Sequence, residues 1–489
     1  RVAAASPIRS IARQAAVGNA LQVVSGLDPR PTGAAQNLRK ALGAEGFFDT
    51  VNYYGAFAPG QNAWTSGWTL MGAMGVLGTS SATSETIVID SDIVVSTTWT
   101  ANNTYVLGGI VYVTDGATLT IEPGTVIRGM ADADTPGANT PGTLIVSRGA
   151  KLIANGTPAL PIVFTDMEDD NVPGGAKADP RYNNNANNNI SERWGGLVLL
   201  GRTYLANNTV GGPALVELQI EGVPGSDATY GGTDDNDDSG ELSYLSIRYG
   251  GSVLAPTKEI NGLTMGGVGR GTTVHHIEVV NNVDDAFEWF GGTVNAKHLV
   301  AWNCGDDGLD SDMGFRGKVQ FALVVKGACK VGATNESGFS NRAMEIDGGE
   351  EGALSQPYAL SQWRNLTLIG MAGTGNVAND QGILIRDNAR PQIYHSIVMD
   401  MGGYGASVSG AESIAGWTTA WNAAPVAGAP AGMYTGQAQG FQTEIADCLF
   451  WNITGAVDQG SIGILTDAGK QNRVAAASPI RSIARQAAV

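Results

Sequence analysis

The sequence predicts an all-β protein: a right-handed parallel β-helix (β-solenoid) with a terminal aromatic-rich capping segment and a short helix. Three observations predict it. The 489 residues include 68 Gly and only 15% charged residues, short apolar runs recur at regular intervals, and no Asn-Gly hairpin turn links equal neighbouring runs. Abundant Gly and few charges argue against helical bundles and coiled coils. Since no apolar run approaches the ~20 residues that span a bilayer, we expect no membrane insertion.

The solenoid prediction rests on runs of alternating apolar and polar residues. They begin at His275, Lys297, Gln320, Trp363, Ile393 and Ala446. Ile277, Leu299 and Leu323 hold matching positions 22 and 24 residues apart, the length of one solenoid coil. Longer later intervals predict loops inserted between coils, notably from Ala411 to Gln439. Twelve or so coils, about 4.8 Å apart, would build a rod roughly 55 to 60 Å long.

The two ends of the sequence are identical. Residues 1–17 and 473–489 both read RVAAASPIRSIARQAAV. An evolved repeat would have gathered substitutions and would recur between these positions, and neither is seen. Ser6 and Pro7 suit the start of a helix that continues past Val17 and stops before Gly26, which is the predicted short helix.

Each copy reads as half of one continuous passage. We therefore expect a circular permutation with an overlap, in which the native order runs from about Gly78 through Asn472, crosses the shared segment, and continues from Gly18 to Leu77. The predicted domains follow from this order. Residues 1–77 are a terminal linker and aromatic capping or docking segment (the native carboxyl-terminal part), 78–472 are the β-helix, and 473–489 duplicate 1–17.

Longer motifs point to a family. LDPRP at 27–31, FFDTVNYYGAF at 47–57 and WTSGWT at 64–69 resemble the carboxyl-terminal end of exported bacterial right-handed parallel β-helix (pectin-lyase-like) surface proteins. TWTANNTYVLGG from 98 resembles the family's opening, and NNVDDAFEWFGG from 281 resembles its middle. The resemblance implies an extracellular or cell-surface location. The resemblance also implies that the stretch beginning at Leu27 belongs after the β-helix, in agreement with the expected permutation.

Aromatic residues are concentrated just before the predicted rod. They are Phe47, Phe48, Tyr53, Tyr54, Phe57, Trp64 and Trp68. An uncovered solenoid end exposes unpaired backbone groups and apolar side chains, so solenoid ends are normally capped. Two alternatives follow. The segment caps or packs along its own rod, or it docks on a neighbour and builds a head-to-tail homopolymer.

Clustered carboxylates are the candidate metal ligands. Asp306, Asp307, Asp310 and Asp312 lie in CGDDGLDSDMG, and oxygen ligands interleaved with Gly suit Ca²⁺. The alternative is solvated acidic corners with Asx turns, which we favour at the other clusters, including Asp284 and Asp285. No cofactor is required by this interpretation, and Ca²⁺ is the one ion considered.

Net charge and cysteine content limit the expected binding partners and disulfides. A net charge of −17 repels phosphate, so nucleic acid is not an expected partner. Cys304 and Cys329 are spaced to lie on neighbouring coils, where they either pair or serve as small buried apolar side chains, and the second alternative is favoured.

We expect a structural or adhesive extracellular protein that self-assembles head to tail, with surface glycans as a further class of partner. The alternative is a secreted polysaccharide lyase or glycoside hydrolase acting on uronate polymers, because GDDG at 305–308 resembles the paired acids of polygalacturonase-like hydrolases. The Gly-His-Gly element of those enzymes is missing, and ILIRDN at 383–388 matches their basic element only faintly. No catalytic residue is therefore assigned.

Overall fold

A computed structural model describes most of the predicted rod and parts of the segment before it. The described residues are 10–14, 23–31, 38, 46–58, 64–65, 68–69, 85–131, 140–169, 191–206, 214, 217–223, 225–255, 258–327, 340–349, 356–372, 380–421, 434, 440–460 and 462–486, with backbone alone at 10–14, 23–30, 253–255 and 481–486. The predicted boundary between residues 77 and 78 lies outside these ranges, as does Cys329.

The chain winds through parallel strands that form three faces, and the fold prediction is confirmed. Each coil visits face 1, then face 2, then face 3, and each strand pairs in parallel with its equivalents one coil before and after. Face 1 contains β6 (Ile110–Val113), β9 (Thr143–Val146), β12 (Leu197–Leu200), β18 (Leu263–Gly266), β20 (Phe287–Phe290), β22 (Leu309–Asp312), β24 (Arg342–Ile346), β27 (Gln381–Ile385) and β30 (Ala406–Val408).

Faces 2 and 3 adjoin, and four long strands run across both. These are β15 (Gly240–Arg248), β19 (Thr273–Val280), β21 (Asn295–Trp302) and β23 (Lys318–Val325). The other strands of face 2 are β4 (Thr97–Trp99), β7 (Thr118–Ile121), β10 (Lys151–Asn155), β25 (Gln362–Arg364), β28 (Gln392–Tyr394) and β31 (Glu444–Ala446). Those of face 3 are β3 (Glu85–Ile89), β5 (Asn103–Leu107), β8 (Val126–Gly129), β11 (Ile162–Asp166), β26 (Thr367–Ile369), β29 (Ile397–Met399), β32 (Leu449–Trp451) and β33 (Arg473–Val474). In the described part of the chain, face 3 thus has twelve rungs, in agreement with the twelve or so coils expected from the sequence.

A column of residues in the left-handed region turns the chain from face 2 to face 3. In β19 this residue is His276, with φ of 55°, and in β21 it is His298, with φ of 60°. Strand pairing passes over both positions, since His275 pairs with Lys297 and Ile277 pairs with Leu299. The same corner is occupied on other coils by Tyr244, Phe321, Asn365, His395 and Asp447. His, Asn and Asp tolerate this conformation better than most residues, which explains their recurrence.

The 22-residue spacing predicted from Ile277 to Leu299 is confirmed, but the next match is wrong by one residue. Leu299 pairs with Ala322, whereas Leu323 pairs with Val300. Ala322 faces the interior, and Leu323 lies in the apolar cluster on the outside of face 3. Both positions carry an apolar residue, so the sequence alone does not separate them. A side-chain period of two places adjacent residues on opposite faces, so a one-residue slip exchanges inside for outside.

Other elements lie beside the coils. They are β1 (Ser10–Gln14), β2 (Val23–Pro31), β13 (Leu218–Gln219), β14 (Thr229–Tyr230), β16 (Val253–Ala255), β17 (Lys258–Glu259), β34 (Ile480–Gln486), a 3₁₀ turn (Ser226–Ala228) and α1 (Ala411–Thr418). The predicted helix before Gly26 is wrong where this segment is described, because Ser10–Gln14 is a strand paired with β2. Strand pairing overrides a weak helical pattern. The observed helix, α1, opens the stretch predicted as an inserted loop. No helix in the described part of the chain is long and apolar enough to cross a bilayer.

Candidate functional site

Carboxylates are stacked on the outside of face 1. Glu288 pairs with Asp310, and Asp310 pairs with Glu345, so the three lie on successive coils. Their strand neighbours Phe287 and Leu309 pack in the interior. Because side chains alternate along a strand, the three carboxylates point outward. We call Glu288, Asp310 and Glu345 the acidic column.

Two further carboxylates form the corner that precedes face 1. Asp307 N–H donates to Asp285 Oδ1 at 2.7 Å, and Arg342 N–H donates to Asp307 Oδ1 at 2.6 Å. Asn261 begins the series by accepting the N–H of Asp285 at 3.2 Å. Each side chain thus binds the backbone of the next coil. The acids at these positions help to hold the coils in register.

The corner and the column meet in two overlapping groups of three. Carboxylate oxygens of Asp284, Asp285 and Asp306 lie within 4.8 Å of one another, and so do those of Asp285, Glu288 and Asp310. Asp285 belongs to both groups and is 6% exposed. Like charges at this separation repel strongly when they are shielded from water.

Burial and charge crowding together raise the pKa values of the site. Burial, and then the charges of neighbouring carboxylates, raises the pKa of Asp285, Glu288 and Asp310 well above the ordinary range. The pKa of Glu345 is raised for the same reasons. The site therefore favours either protonated carboxyl groups or a bound cation over a set of bare negative charges.

Two arginines compensate one end of the acidic column. Arg342 forms an ion pair with Glu345 and lies 3.8 Å from Asp307 Oδ2. Arg386 Nη2 lies 3.0 Å from Glu345 Oε1 and 2.9 Å from Asp347 Oδ2. These two guanidinium groups offset part of the negative charge at the Glu345 end of the acidic column.

The predicted metal ligands divide into two pairs. Asp306 and Asp310 lie in the carboxylate groups, whereas Asp307 holds the corner and Asp312 Oδ1 accepts the N–H of Met313 at 2.6 Å. The structure brings Asp284, Asp285 and Glu288 into the site instead. Their signal was present in the sequence, because Asp285 precedes Asp307 and Glu288 precedes Asp310 by the same 22-residue coil. The residues that meet suit a hard cation such as Ca²⁺, which takes six to eight oxygen ligands.

The aromatic segment lies along the outside of face 3 in the described part of the chain. Tyr54, Ala56 and Phe57 are buried in one cluster with outward residues of that face. The face-3 members of this cluster are Val280, Val300, Trp302, Leu323, Val325, Ile369, Ile397, Met399 and Leu449. We call these nine residues the flank strip. Their burial removes a continuous apolar surface from water.

Polar contacts fix the direction of the segment along the rod. Gln320 exchanges hydrogen bonds with the backbone of Asp49, at 3.0 and 3.1 Å. Asn365 Nδ2 donates to Tyr53 O at 2.9 Å, and the Tyr54 hydroxyl donates to Asp447. The segment therefore runs across several coils rather than following one of them.

Gly55 lies directly against the outside of the rod. Its N–H donates to His395 O at 2.9 Å, and its φ is 78°. A Cβ at this position would lie 2.7 Å from Thr367 Oγ1 and 2.9 Å from Ile397 Cδ1. Only glycine adopts this conformation with so little space, so the sequence of the segment is matched to the surface below it.

Stacked rings hold the far end of the segment. Trp64 packs on Phe57 with ring centroids 5.1 Å apart and meets the edge of His298 at 4.8 Å. Trp68 meets His276 at 5.7 Å, and the two histidine rings stack 4.2 Å apart. Burial lowers the pKa of both histidines to about 3.

All seven predicted aromatic residues lie on this flank or beside it. Phe48 stacks on the Arg364 guanidinium at 4.0 Å, and Phe47 lies 5.0 Å from Lys297 Nζ. The arrangement corresponds to the alternative in which the segment packs along its own rod. Cys304 and Cys448 are both free and buried, as favoured for Cys304.

Comparison with known proteins gives one match. A family model described as a pectate-lyase-like beta helix domain matches residues 91–426. No curated protein and no solved structure matches. The matched residues include every strand of face 1 and the whole of the acidic site.

Proposed function

The chain belongs to the pectate-lyase-like β-helix domain family, and from this premise we propose that it is a structural or adhesive extracellular protein that associates head to tail with copies of itself. The observation that carries the proposal is the construction of the two ends. Among the described residues, the first strand of the coils and the last both belong to face 3, and both run in the same direction. Two such ends are complementary, because a parallel ladder can continue from one molecule into the next.

The opening end of the described rod is formed by β3. Among the described residues, β3 pairs with β5 and with no strand on its other side. Val88 is 52% exposed, Val94 67% and Val95 73%. An exposed strand edge with apolar neighbours is a template for another strand.

The closing end presents the matching surface. In the described part of the chain β33 pairs only with β32, and Val474 is 51% exposed. Val474 pairs with Phe450, which is buried in the interior. At the other end Ile87 pairs with Tyr105, another interior residue. Val474 and Ile87 are thus the two ends of one interior column.

Stacking would continue that column between molecules. It would place Val474 beside Ile87, and it would place Arg473 beside Thr86, next to the exposed carboxylate of Glu85. The contact would bury apolar side chains and bring opposite charges together, and both effects favour association. The contact does not close on itself, so the product is a filament.

Sedimentation and electron microscopy of the full chain test this proposal. We expect filaments, and we expect Val88→Asp or Val474→Asp to shorten them severely, because each places a charge in the contact. Leu160→Asp is the matched control, since Leu160 is 51% exposed in a turn on the side of the rod. A monodisperse monomer for the unaltered chain would contradict the proposal.

A second candidate is action on an acidic polysaccharide, favoured by the carboxylates that meet beside Arg342 and Arg386. Paired carboxylates can serve as acid and base in glycoside cleavage, and a carboxylate-bound Ca²⁺ with a basic residue can serve a lyase. Incubation with uronate polymers tests it. Reducing or unsaturated ends that disappear in Glu288→Gln and Asp310→Asn would establish this activity, and their absence would leave the structural function.

A further inference from the structure

A cavity opens on the side of the rod, where face 1 turns into face 2. Asp115, Arg148 and Arg202 form one wall, and each follows the end of its strand, β6, β9 or β12, by two residues. The hairpin of β13 and β14 and the 3₁₀ turn between them form the other wall. The volume is about 590 Å³, within the roughly 300–1,000 Å³ of small-molecule sites. We call this space the corner cavity.

Side chains of the coils fasten the hairpin wall in place. Ser147 Oγ donates to Asp227 O at 2.8 Å. Arg148 Nη1 donates to Gly231 O at 2.7 Å and to Glu217 Oε1 at 2.8 Å. These bonds join a coil to both strands' ends of the hairpin, so the two walls keep a fixed separation. A site whose walls are already fixed loses little entropy when a ligand enters.

An ion pair lies across three coils on the opposite wall. Arg202 Nη2 donates to Asp115 Oδ1 at 3.1 Å and to Arg148 O at 3.4 Å. Gly149 lies directly below this pair, with φ of 82°, and a Cβ there would collide with both charged groups. The glycine therefore leaves room for the pair at the surface of the cavity.

The lining of the corner cavity is entirely polar. Every lining residue belongs to the described part of the chain and is Asp, Glu, Arg, Ser, Thr or Gly. Arg148 Nη2 and Arg202 Nη1 make no hydrogen bond among the described residues, so their N–H groups can donate to a ligand. A hydroxyl group accepts from a guanidinium and donates to a carboxylate. The cavity thus suits a ligand with many hydroxyl groups rather than an apolar one.

Charge further narrows the ligand. The lining has two more carboxylates than guanidinium groups: Asp115, Glu217, Asp227 and Asp234 against Arg148 and Arg202. The two arginines form ion pairs with Glu217 and Asp115. The charges of Asp227 and Asp234 on the hairpin side are then in excess. This excess repels a uronate and attracts an ammonium group.

We propose that the corner cavity binds an amine-bearing saccharide, such as a glucosamine unit of a surface glycan. The proposal rests on the adhesive part of the proposed function and names the class of molecule that is held. The sugar hydroxyls bind Arg148 and Arg202, and the ammonium group lies beside Asp227 and Asp234. Because the cavity opens on the side of the rod, head-to-tail stacking leaves it accessible, and a filament presents one such site per rod to a long glycan.

Calorimetric titration of the full chain with short oligosaccharides tests the site. We expect a glucosamine oligosaccharide to bind about tenfold more tightly than the N-acetylglucosamine oligosaccharide of the same length, which has the hydroxyls without the charge. A galacturonate oligosaccharide should bind more weakly than either. Asp227→Asn and Asp234→Asn should together remove the preference for the amine. Glu122→Gln, which removes an exposed carboxylate elsewhere on the rod, should leave the preference unchanged.

Three results would overturn the proposal. They are no heat of binding with any of the oligosaccharides, equal affinity for the charged and the acetylated forms, and a preference that persists in the doubly substituted chain. Filaments in sedimentation alongside any of these results would leave the head-to-tail function intact. A chain that neither binds glucosamine nor assembles would reject both.

Discussion

The carboxylate of Glu288 shows how one residue position can decide the behaviour of the site. It lies between Asp310 on the next coil and the corner acid Asp285, and it accepts a hydrogen bond from Asn261 Nδ2. Because its pKa is raised well above that of an unfolded chain, the native protein holds a proton there that the unfolded chain releases near pH 4.5. The stability from this group is full below that pH and is lost as the pH rises toward the native pKa.

Glu288→Gln should therefore stabilise the metal-free protein at pH 7, because the amide keeps the neutral form without a bound proton. We expect a gain of about 1 kcal/mol or more in the free energy of unfolding, measured by urea denaturation, and little gain at pH 4.

Calcium should stabilise the unaltered chain more than it stabilises Glu288→Gln. If Asp285, Glu288 and Asp310 bind Ca²⁺, saturating Ca²⁺ raises the melting temperature of the unaltered chain more than that of Glu288→Gln, because ligand binding to the native state stabilises it. Equal shifts in both chains would show that the ion does not bind at this site. Glu217→Gln, at an exposed ion pair with Arg148, is the control.

A buried ion pair elsewhere predicts a loss of stability on substitution, in contrast to the gain expected for Glu288→Gln. Lys326 Nζ lies 3.3 Å from Asp380 Oδ1 and donates to the carbonyl oxygen of Asn341 at 2.7 Å. Lys326→Met leaves the Asp380 charge buried, and we expect a loss of about 3–5 kcal/mol in the free energy of unfolding. The double variant Lys326→Met with Asp380→Asn should lose less than the sum of the single variants, since it removes both charges. Urea denaturation of all three chains measures this coupling.

At the scale of elements, the aromatic segment and the histidine corner form a contact that depends on pH. His276 and His298 have native pKa values of about 3, lowered mainly by burial, against 6.5 in an unfolded chain. Their contribution is full above pH 6.5 and is lost as the pH falls toward 3, because protonation then favours release. The charged or titratable neighbours His275 and Lys297 add to the same effect.

We therefore expect the segment to detach as the pH falls from 7 to 4, with a red shift of Trp64 and Trp68 fluorescence and faster proteolysis after residue 58. Replacing both histidines with Phe should abolish this pH dependence while keeping the stacked rings. A red shift that persists unchanged in that variant would assign the effect to other groups.

Prediction from sequence succeeded where the pattern is periodic. The 22-residue interval identified the coils because every coil must bury the same face, and the aromatic cluster was found because its density is unusual. Prediction failed where one strand pairing determines the local structure or decides which side chain faces the interior. Residues 10–14 have a weak helical pattern, and β2 converts them to strand. Leu323 was matched with Leu299, whereas Ala322 takes that place, because both residues are apolar and only the strand pairing sets which of them faces the interior.

The acidic site was predicted in part for the same reason. The CGDDGLDSDMG motif drew attention to Asp306 and Asp310, which do meet other carboxylates. Asp284, Asp285 and Glu288 come from the preceding coil, and only the parallel stacking brings them into contact. A motif within one coil cannot reveal a site shared by two coils.

At the scale of the whole molecule, the identical ends make it possible to test the order in which the segments are joined in the native polypeptide. The circular permutation stays a prediction. Intact-mass measurement of the native polypeptide should find the seventeen-residue segment once, between the last coil and Gly18, and two copies in one molecule would contradict it.

The aromatic segment also has a mechanical consequence. A force along the axis loads the hydrogen bonds between coils one after another, so the weakest interface would open first. From Trp68 beside Tyr244 to Tyr54 beside Asp447, the segment spans the corner residues of seven successive coils. The segment is attached to all of these coils, so it carries part of the force in parallel with the hydrogen bonds between them. The spanned coils should resist stretching as one unit, and rupture should begin in the coils that the aromatic segment does not contact.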